Sequence, residues 1–309
     1  MPLTFGALAQ AANNQDHTLV QLRRFFEPTG MITVREEVKV DANGTASPAF
    51  QIDFLGVEGE VSGSPTWQRW DSTYARHKNV FFEHGQFRIR DTAAVVKNYT
   101  LHDFGVTVRA GRLARRVVVF PRLLDKAIWL LELDAISLLP LYTAEYDASL
   151  RLLSELEAVS LTLGQPQLTQ SASSISSTAF ASYRAANVAM GNPMGMLEPS
   201  GSTGEFSVFK VEVRVDPLNN QQTLELDLTD GVDEIFITET PASADIFASL
   251  PVRQRAAGPS HTIARFRDPT MSVLLFWDDG VAFQVAGRGS LVRLDEFARQ
   301  IYSKALRTH

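Results

Sequence analysis

There is no cysteine among the 309 residues. That excludes disulfide bridges, thiol nucleophiles and thiolate metal ligands, and leaves the compartment open. No apolar run reaches the roughly 18–20 residues of a helical membrane span. Basic charge is scarce too: Lys and Arg number 29 against 35 Asp and Glu, a net charge of -6. Divided at Gly164, the first part has 17 basic and 19 acidic residues and the rest 12 and 16. Neither part has the basic excess that neutralising nucleic acid phosphates requires.

Catalytic and metal motifs are missing as well. The six histidines, His17, His77, His84, His102, His261 and His309, include no pair at HxH or HExxH spacing. No serine sits in a GxSxG elbow. Gly287-Arg288-Gly289 lies between a strand pattern and a helix pattern but lacks a third glycine and a βαβ unit, so it reads as a strand-to-helix turn. The neighbouring carboxylates of Asp278 and Asp279 point apart and read as turn formers. No catalytic residue, metal or cofactor is assigned, and the reading is a non-enzyme.

What is present is apolar: 45% of residues are hydrophobic, and the length suggests two domains rather than one. The organising stretch is Phe104 to Gly164. Apolar residues alternate at Val106 and Val108, Val117 and Val119, Ile128 and Leu130, between turns at Ala110-Gly111-Arg112, Pro121 to Asp125, Asp134 to Ser137 and Asp147 to Ser149. This predicts a meander of four or five antiparallel strands. Such a sheet either packs on a helix or lines a cavity for an apolar ligand.

The run Ala110-Gly111-Arg112-Leu113-Ala114-Arg115-Arg116, with Val117-Val118-Val119, Pro121-Arg122, Trp129-Leu130-Leu131-Glu132-Leu133-Asp134 and Leu138-Leu139-Pro140-Leu141, resembles the periplasmic sigma-E regulators of the RseB/MucB family. Their N-terminal domain is similar to the lipoprotein carriers LolA and LolB. Leu226 to Gly231 and Leu274 to Gly287 resemble the family's small second domain. The resemblance covers residues 14–164 and 204–306 and rests on the order of several weak motifs. It implies an α+β protein: a LolA-like antiparallel half-barrel over 14–164, a Ser/Gly/Pro-rich linker over 165–204, and a smaller sheet packed by a terminal helix over 205–309. It also implies a periplasmic regulator that binds an anti-sigma factor segment and responds to a lipid or lipoprotein acyl chain. The alternative is a LolA-like lipid or lipoprotein carrier. Leu8 to Ala12 looks like the tail of a cleaved leader.

In chain order, Leu19, Leu22, Phe25 and Phe26 predict a helix from Asp16 to Phe26. Met31 to Val40 and Phe50 to Val57 read as strands joined through Asp41-Ala42-Asn43-Gly44. Thr66 to Phe82 reads as an aromatic-faced helix. Phe87 to Arg90 reads as a short strand, and Asp91 to Asn98 as a helix capped by Asp91. A short helix is expected over Phe180 to Met190 inside the linker. Strands follow at Phe206 to Val215, Thr223 to Leu228, Ile235 to Ile237, Val273 to Trp277 and Val281 to Ala286. A last helix begins at Ser290, with Leu291, Leu294, Phe297, Ala298 and Ile301 on its apolar face.

Two sets of site residues follow. Phe54, Trp67, Trp70, Trp129, Leu131 and Leu133 are the candidates for an apolar cavity. Trp129, Leu131 and Leu133 share one face of a strand whose other face, at Ile128 and Leu130, is apolar as well. Arg109, Arg112, Arg115, Arg116 and Arg122 are either a solvated face or a site for an anionic partner or headgroup.

Overall fold

A computed structural model of the chain describes residues 3–13, 15–27, 30–41, 49–71, 86–123, 126–166, 176–191, 202–203, 205–216, 220–243, 255–257, 262–267, 271–278, 280–288 and 294–298. The chain divides into two units, Met1–Ser171 and Ala172–His309. Each is built on one open antiparallel sheet, so the protein is α+β.

The first unit begins with helix α1 (Phe5–Asn13) and strands β1 (His17–Glu27), β2 (Gly30–Val40) and β3 (Ala49–Val57). A helix over 65–71, α2, and helix α3 (Thr92–Asn98) follow. The meander then comprises β4 (Tyr99–Arg109), β5 (Arg112–Pro121), β6 (Ile128–Asp134), β7 (Pro140–Tyr146) and β8 (Leu152–Leu163). The order across the sheet is β3-β2-β1-β8-β7-β6-β5-β4, so β3 and β4 are its two edges. The sheet is open and antiparallel, consistent with the half-barrel that the family resemblance implies.

Local chemistry explains the turns. Ala110 and Gly111 both have positive φ, 49° and 71°, which gives the β4–β5 hairpin the twist-matched two-residue turn. The turn after β6 has no glycine. Asp134 replaces it: its Oδ1 accepts hydrogen bonds from the amides of Ile136 and Ser137 and from the Ser137 hydroxyl. Asp91 caps α3 as expected, accepting from the amides of Ala93 and Ala94.

Two expectations need correcting here. Asp16 to Phe26 is not a helix: from His17 on it lies in β1, because the buried positions are His17, Leu19, Gln21, Arg23 and Phe25, a period of two that includes polar residues. Phe87 to Arg90 is not a strand; it is irregular. The Leu8 to Ala12 run lies within α1, whose Phe5, Leu8 and Ala11 are buried and which packs against α3. The expected Thr66 to Phe82 helix is helical over 65–71, and 72–82 lies outside the described residues.

The second unit holds β9 (Ser176–Ala179), α4 (Tyr183–Ala189), β10 (Ser202–Thr203), β11 (Phe206–Val215), β12 (Gln222–Thr229), β13 (Glu234–Pro241), β14 (Arg255–Ala257), β15 (Thr262–Arg267), β16 (Ser272–Asp278), β17 (Val281–Gly287) and a helix, α5, over 294–298. The sheet runs β10-β11-β12-β13-β17-β16-β15-β14, with β9 also on β11. The stretch read as linker therefore contains paired strand and packed helix: Ser176 to Ala179 pairs with β11, and Tyr183 and Ala186 enter the core. That core joins Leu224, Leu226, Leu228, Ile237, Phe276, Phe283 and Val285 to Leu294, Phe297 and Ala298 of the last helix. Gly287 is needed for closeness: a Cβ there would stand 3.0 Å from the Glu234 carbonyl oxygen and from Ile235 Cγ1.

Candidate binding site

The inner face of the first sheet can be read row by row from the strand register. One row crosses Val117, Leu131, Thr143, Leu156, Arg23, Val34 and Phe54. The next crosses Val119, Trp129, Glu145, Ser154, Phe25 and Ile32. Trp129, Leu131 and Leu133 lie on this face and are buried, with Phe87 edge-on to Trp129 at 5.5 Å. Phe54 and Trp70 belong to a second cluster, with Phe25, Ile32, Val34, Val57 and Ile52. Trp67 reaches it through an edge-to-face contact with Phe54 at 5.2 Å.

The six cavity candidates therefore form two groups at opposite ends of one face. Buried polar side chains stand between them. Arg23 and Glu36 are each 1% exposed, with Arg23 Nε donating to Glu36 Oε1 at 2.6 Å and Gln21 donating to Oε2 at 2.7 Å. Ser154 donates to Glu145 at 3.0 Å, also buried. Sequence reading missed this belt. Its signal was the alternation itself, since Gln21 and Arg23 occupy the positions between Leu19 and Phe25.

The outer face is charged and internally neutralised. Arg109 donates to Glu132 at 2.6 Å and to Glu157 at 3.0 Å, and its guanidinium lies 4.4 Å from the Tyr142 ring centre. Arg116 donates to the same Glu132 at 2.6 Å, and Arg112 to Asp134 at 2.5 Å. Arg115 is in register with the inner-face residue Leu133 rather than with Glu132, and it pairs with Asp103 on the edge strand β4. Arg24 meets Glu155 at 2.7 Å and Glu157 at 3.1 Å. Four of the five clustered arginines thus have carboxylate partners within the sheet, and Arg122 is exposed just past β5. Nor is the outer face of β6 apolar throughout: Ile128 and Leu130 give way to Glu132 and Asp134.

The ionisation of these groups follows their partners. Burial alone would raise Asp134, but Arg112, the Ser137 amide and hydroxyl and the Ile136 amide hold its carboxyl down, at about 2. Burial and the hydrogen bond to Glu155 push the Tyr142 hydroxyl up. Burial pushes His17 down, against the Gln15 carbonyl, which its Nδ1 meets at 2.8 Å. Among the described residues no group of three or more His, Asp or Glu is placed to hold a metal ion. No described helix is long and apolar enough to cross a membrane.

One open cleft, of about 380 Å³, lies in the first unit where the loop after β3 meets α2. Met31, Thr33, Leu55, Gly56, Val57, Glu58, Glu60, Ser62 and Trp67 line it. Of the six cavity candidates only Trp67 faces it.

No protein-family model matches the sequence, and no curated protein matches it. Among solved structures the chain is similar to MucB in complex with MucA(peri) and to the MucA/MucB complex of Pseudomonas aeruginosa. Each comparison has 16% identity, covers 95% of both chains and gives a TM-score of 0.50. The protein therefore has an RseB/MucB-like fold over both of its units.

Proposed function

We propose that this chain is a non-catalytic regulatory protein of the periplasm that holds the periplasmic segment of an anti-sigma factor. The observation supporting this is the likeness over 95% of both chains to MucB as seen with MucA(peri). Regulation would work by linkage: a second ligand displaces the partner only through its difference in affinity for the free and partner-bound forms. The test is calorimetric titration of the full chain with the periplasmic segment of the anti-sigma factor encoded beside its gene. Saturable one-to-one binding is expected; absence of binding overturns the reading.

The finer reading adds an apolar ligand, an acyl chain of a lipid or lipoprotein, on the inner face of the half-barrel. The two aromatic-rich groups around Trp129 and Trp70 favour it, while the buried Arg23–Glu36 belt limits how far a chain can run between them. Each buried methylene should add about 0.8 kcal/mol. Displacement of an environment-sensitive fatty-acid probe by acyl chains of increasing length tests it. Acyl binding without anti-sigma binding would point to a carrier instead. The arginines are a weaker site for an anionic partner, because such a partner must compete with carboxylates already in place. The two units are proposed to fold as separate domains divided near Ser171.

A further inference from the structure

The cleft beside Trp67 combines features that restrict what it can hold. Its floor is apolar, from Met31, Leu55 and Val57. Its wall includes the Trp67 indole, and its rim carries the exposed carboxylates Glu58 and Glu60. Among the described residues no Lys, Arg or His lines it. Among the described residues neither carboxylate is ion-paired.

The cleft is also held in shape. A bulge between Thr33 and Val34 leaves Leu55 unpaired opposite β2, and Gly56 follows with a φ of 148°. The Glu58 amide donates to the Met31 carbonyl at 2.8 Å, tying the loop back to β2. Ser64 caps α2, accepting from the Trp67 amide at 3.2 Å, and its hydroxyl donates to Glu60 at 2.7 Å. One serine therefore fixes both an acid and the start of the helix that carries the indole. Phe54 meets the Trp67 ring in an edge-to-face contact at 5.2 Å.

An indole and two acids beside apolar side chains attract a cation on an apolar stem. They repel phosphates and carboxylates. The cleft is open, and it adjoins β3, an edge of the sheet. We infer that it receives the side chain of a lysine or arginine from an extended protein segment, its alkyl stem on Met31, Leu55 and Val57 and its charge between Trp67, Glu58 and Glu60. This deepens the proposed function by giving the bound partner segment a basic anchor residue, and it rests on that reading for the identity of the segment alone.

The test needs no partner. The full chain labelled with nitrogen-15 is titrated with n-butylammonium, and the Trp67 indole N–H signal, assigned by its loss in Trp67→Phe, is followed. Saturable shifts are expected with n-butylammonium and n-butylguanidinium, and none with n-butanol or butanoate. The double substitution Glu58→Gln with Glu60→Gln, at exposed positions, should weaken binding about fivefold, as two exposed charge pairs of modest worth would. A lysine-centred pentapeptide should shift the signal more tightly than its norleucine counterpart. Equal response to butanoate, or unchanged binding in the double variant, overturns the inference. So does binding of phosphatidylcholine vesicles without the lysine peptide, which would make the cation a lipid headgroup. Failure to bind an anti-sigma segment while these probes still bind would sink the proposed function and leave the cleft intact.

Discussion

The two sheets handle charge in different ways. In β12 of the second unit, Leu224, Leu226 and Leu228 face one side and Glu225 and Asp227 the other. The leucines join a continuous apolar core, and the acids meet Lys210 and Arg214 on β11, with Arg214 2.6 Å from Glu225. On β12 apolar and ionic residues keep to separate faces, but Glu239 on β13 is buried opposite Leu224 on the apolar face, accepting from the Tyr183 hydroxyl at 3.4 Å. In the first unit Arg23 and Glu36 enter the apolar face itself, in line with Val34, Leu156 and Phe25. A buried ion pair seldom stabilises relative to well-packed apolar residues of the same volume, because two charges must be desolvated. The second sheet's apolar face thus admits a carboxylate held by a phenol, while the first sheet's inner face carries a complete buried ion pair.

The largest expected effect tests that contrast directly. Arg23→Ala leaves the Glu36 carboxylate buried without its ion-pair partner and should cost about 3–5 kcal/mol in denaturant unfolding. Arg23→Met with Glu36→Leu should recover most or all of that loss. A cost for Arg23→Ala no greater than that of an exposed pair would mean that water reaches the belt, and the contrast would collapse.

Phe297→Ala comes next. Phe297 is buried edge-on to Phe206, at 5.7 Å, within the second core. Truncation should cost about 3 kcal/mol. An unchanged melting temperature would mean that α5 does not close that sheet.

The outer face predicts acid sensitivity. Asp134 has its carboxyl lowered from 3.8 to about 2. A carboxyl lowered on folding stabilises above its unfolded value and loses that contribution as pH falls through the folded one. About 2 kcal/mol should therefore be lost between roughly pH 4 and pH 2, and Asp134→Asn should flatten that part of the curve. The same slope in the variant would assign the acid sensitivity to other carboxylates.

Much of this was legible in the sequence, and the failures have physical causes. The meander from β4 to β8, the strands β2 and β3, the Asp91 cap and the β16–β17 pair were legible because apolar alternation and turn residues agree there. Strand β1 was not, because Gln21 and Arg23 hold core positions, and a buried ion pair looks like a surface in a sequence. The arginine pairing was half visible: once the hairpin sets the β5–β6 register, Arg116 falls opposite Glu132. Arg109 reaching Glu157 on β8 was not visible, since that contact depends on how the β4–β5 hairpin lies over the sheet. The cleft at Trp67 escaped because it is built from a bulge, a loop and a helix cap, each of which breaks the period that pattern reading relies on.

The smallest effect concerns Arg115, and it separates two roles for the arginine cluster. Arg115 pairs with Asp103 on the edge strand β4, both partly exposed, and Asp103 also accepts from the Gly105 amide at 2.9 Å, so its carboxyl is lowered first by Arg115 and then by that amide. Exposed pairs contribute little, because solvent screens them and holding two long side chains costs entropy. Arg115→Ala should therefore change stability by no more than about 0.5 kcal/mol. If the cluster only balances the carboxylates of its own sheet, Arg115→Ala should also leave association with anionic vesicles unchanged at moderate salt. A clear loss of vesicle binding with stability intact would instead give these arginines an anionic partner. The cluster would then form a docking surface at the β4–β5 edge of the sheet, and its arginines would no longer be explained by the carboxylates around them alone.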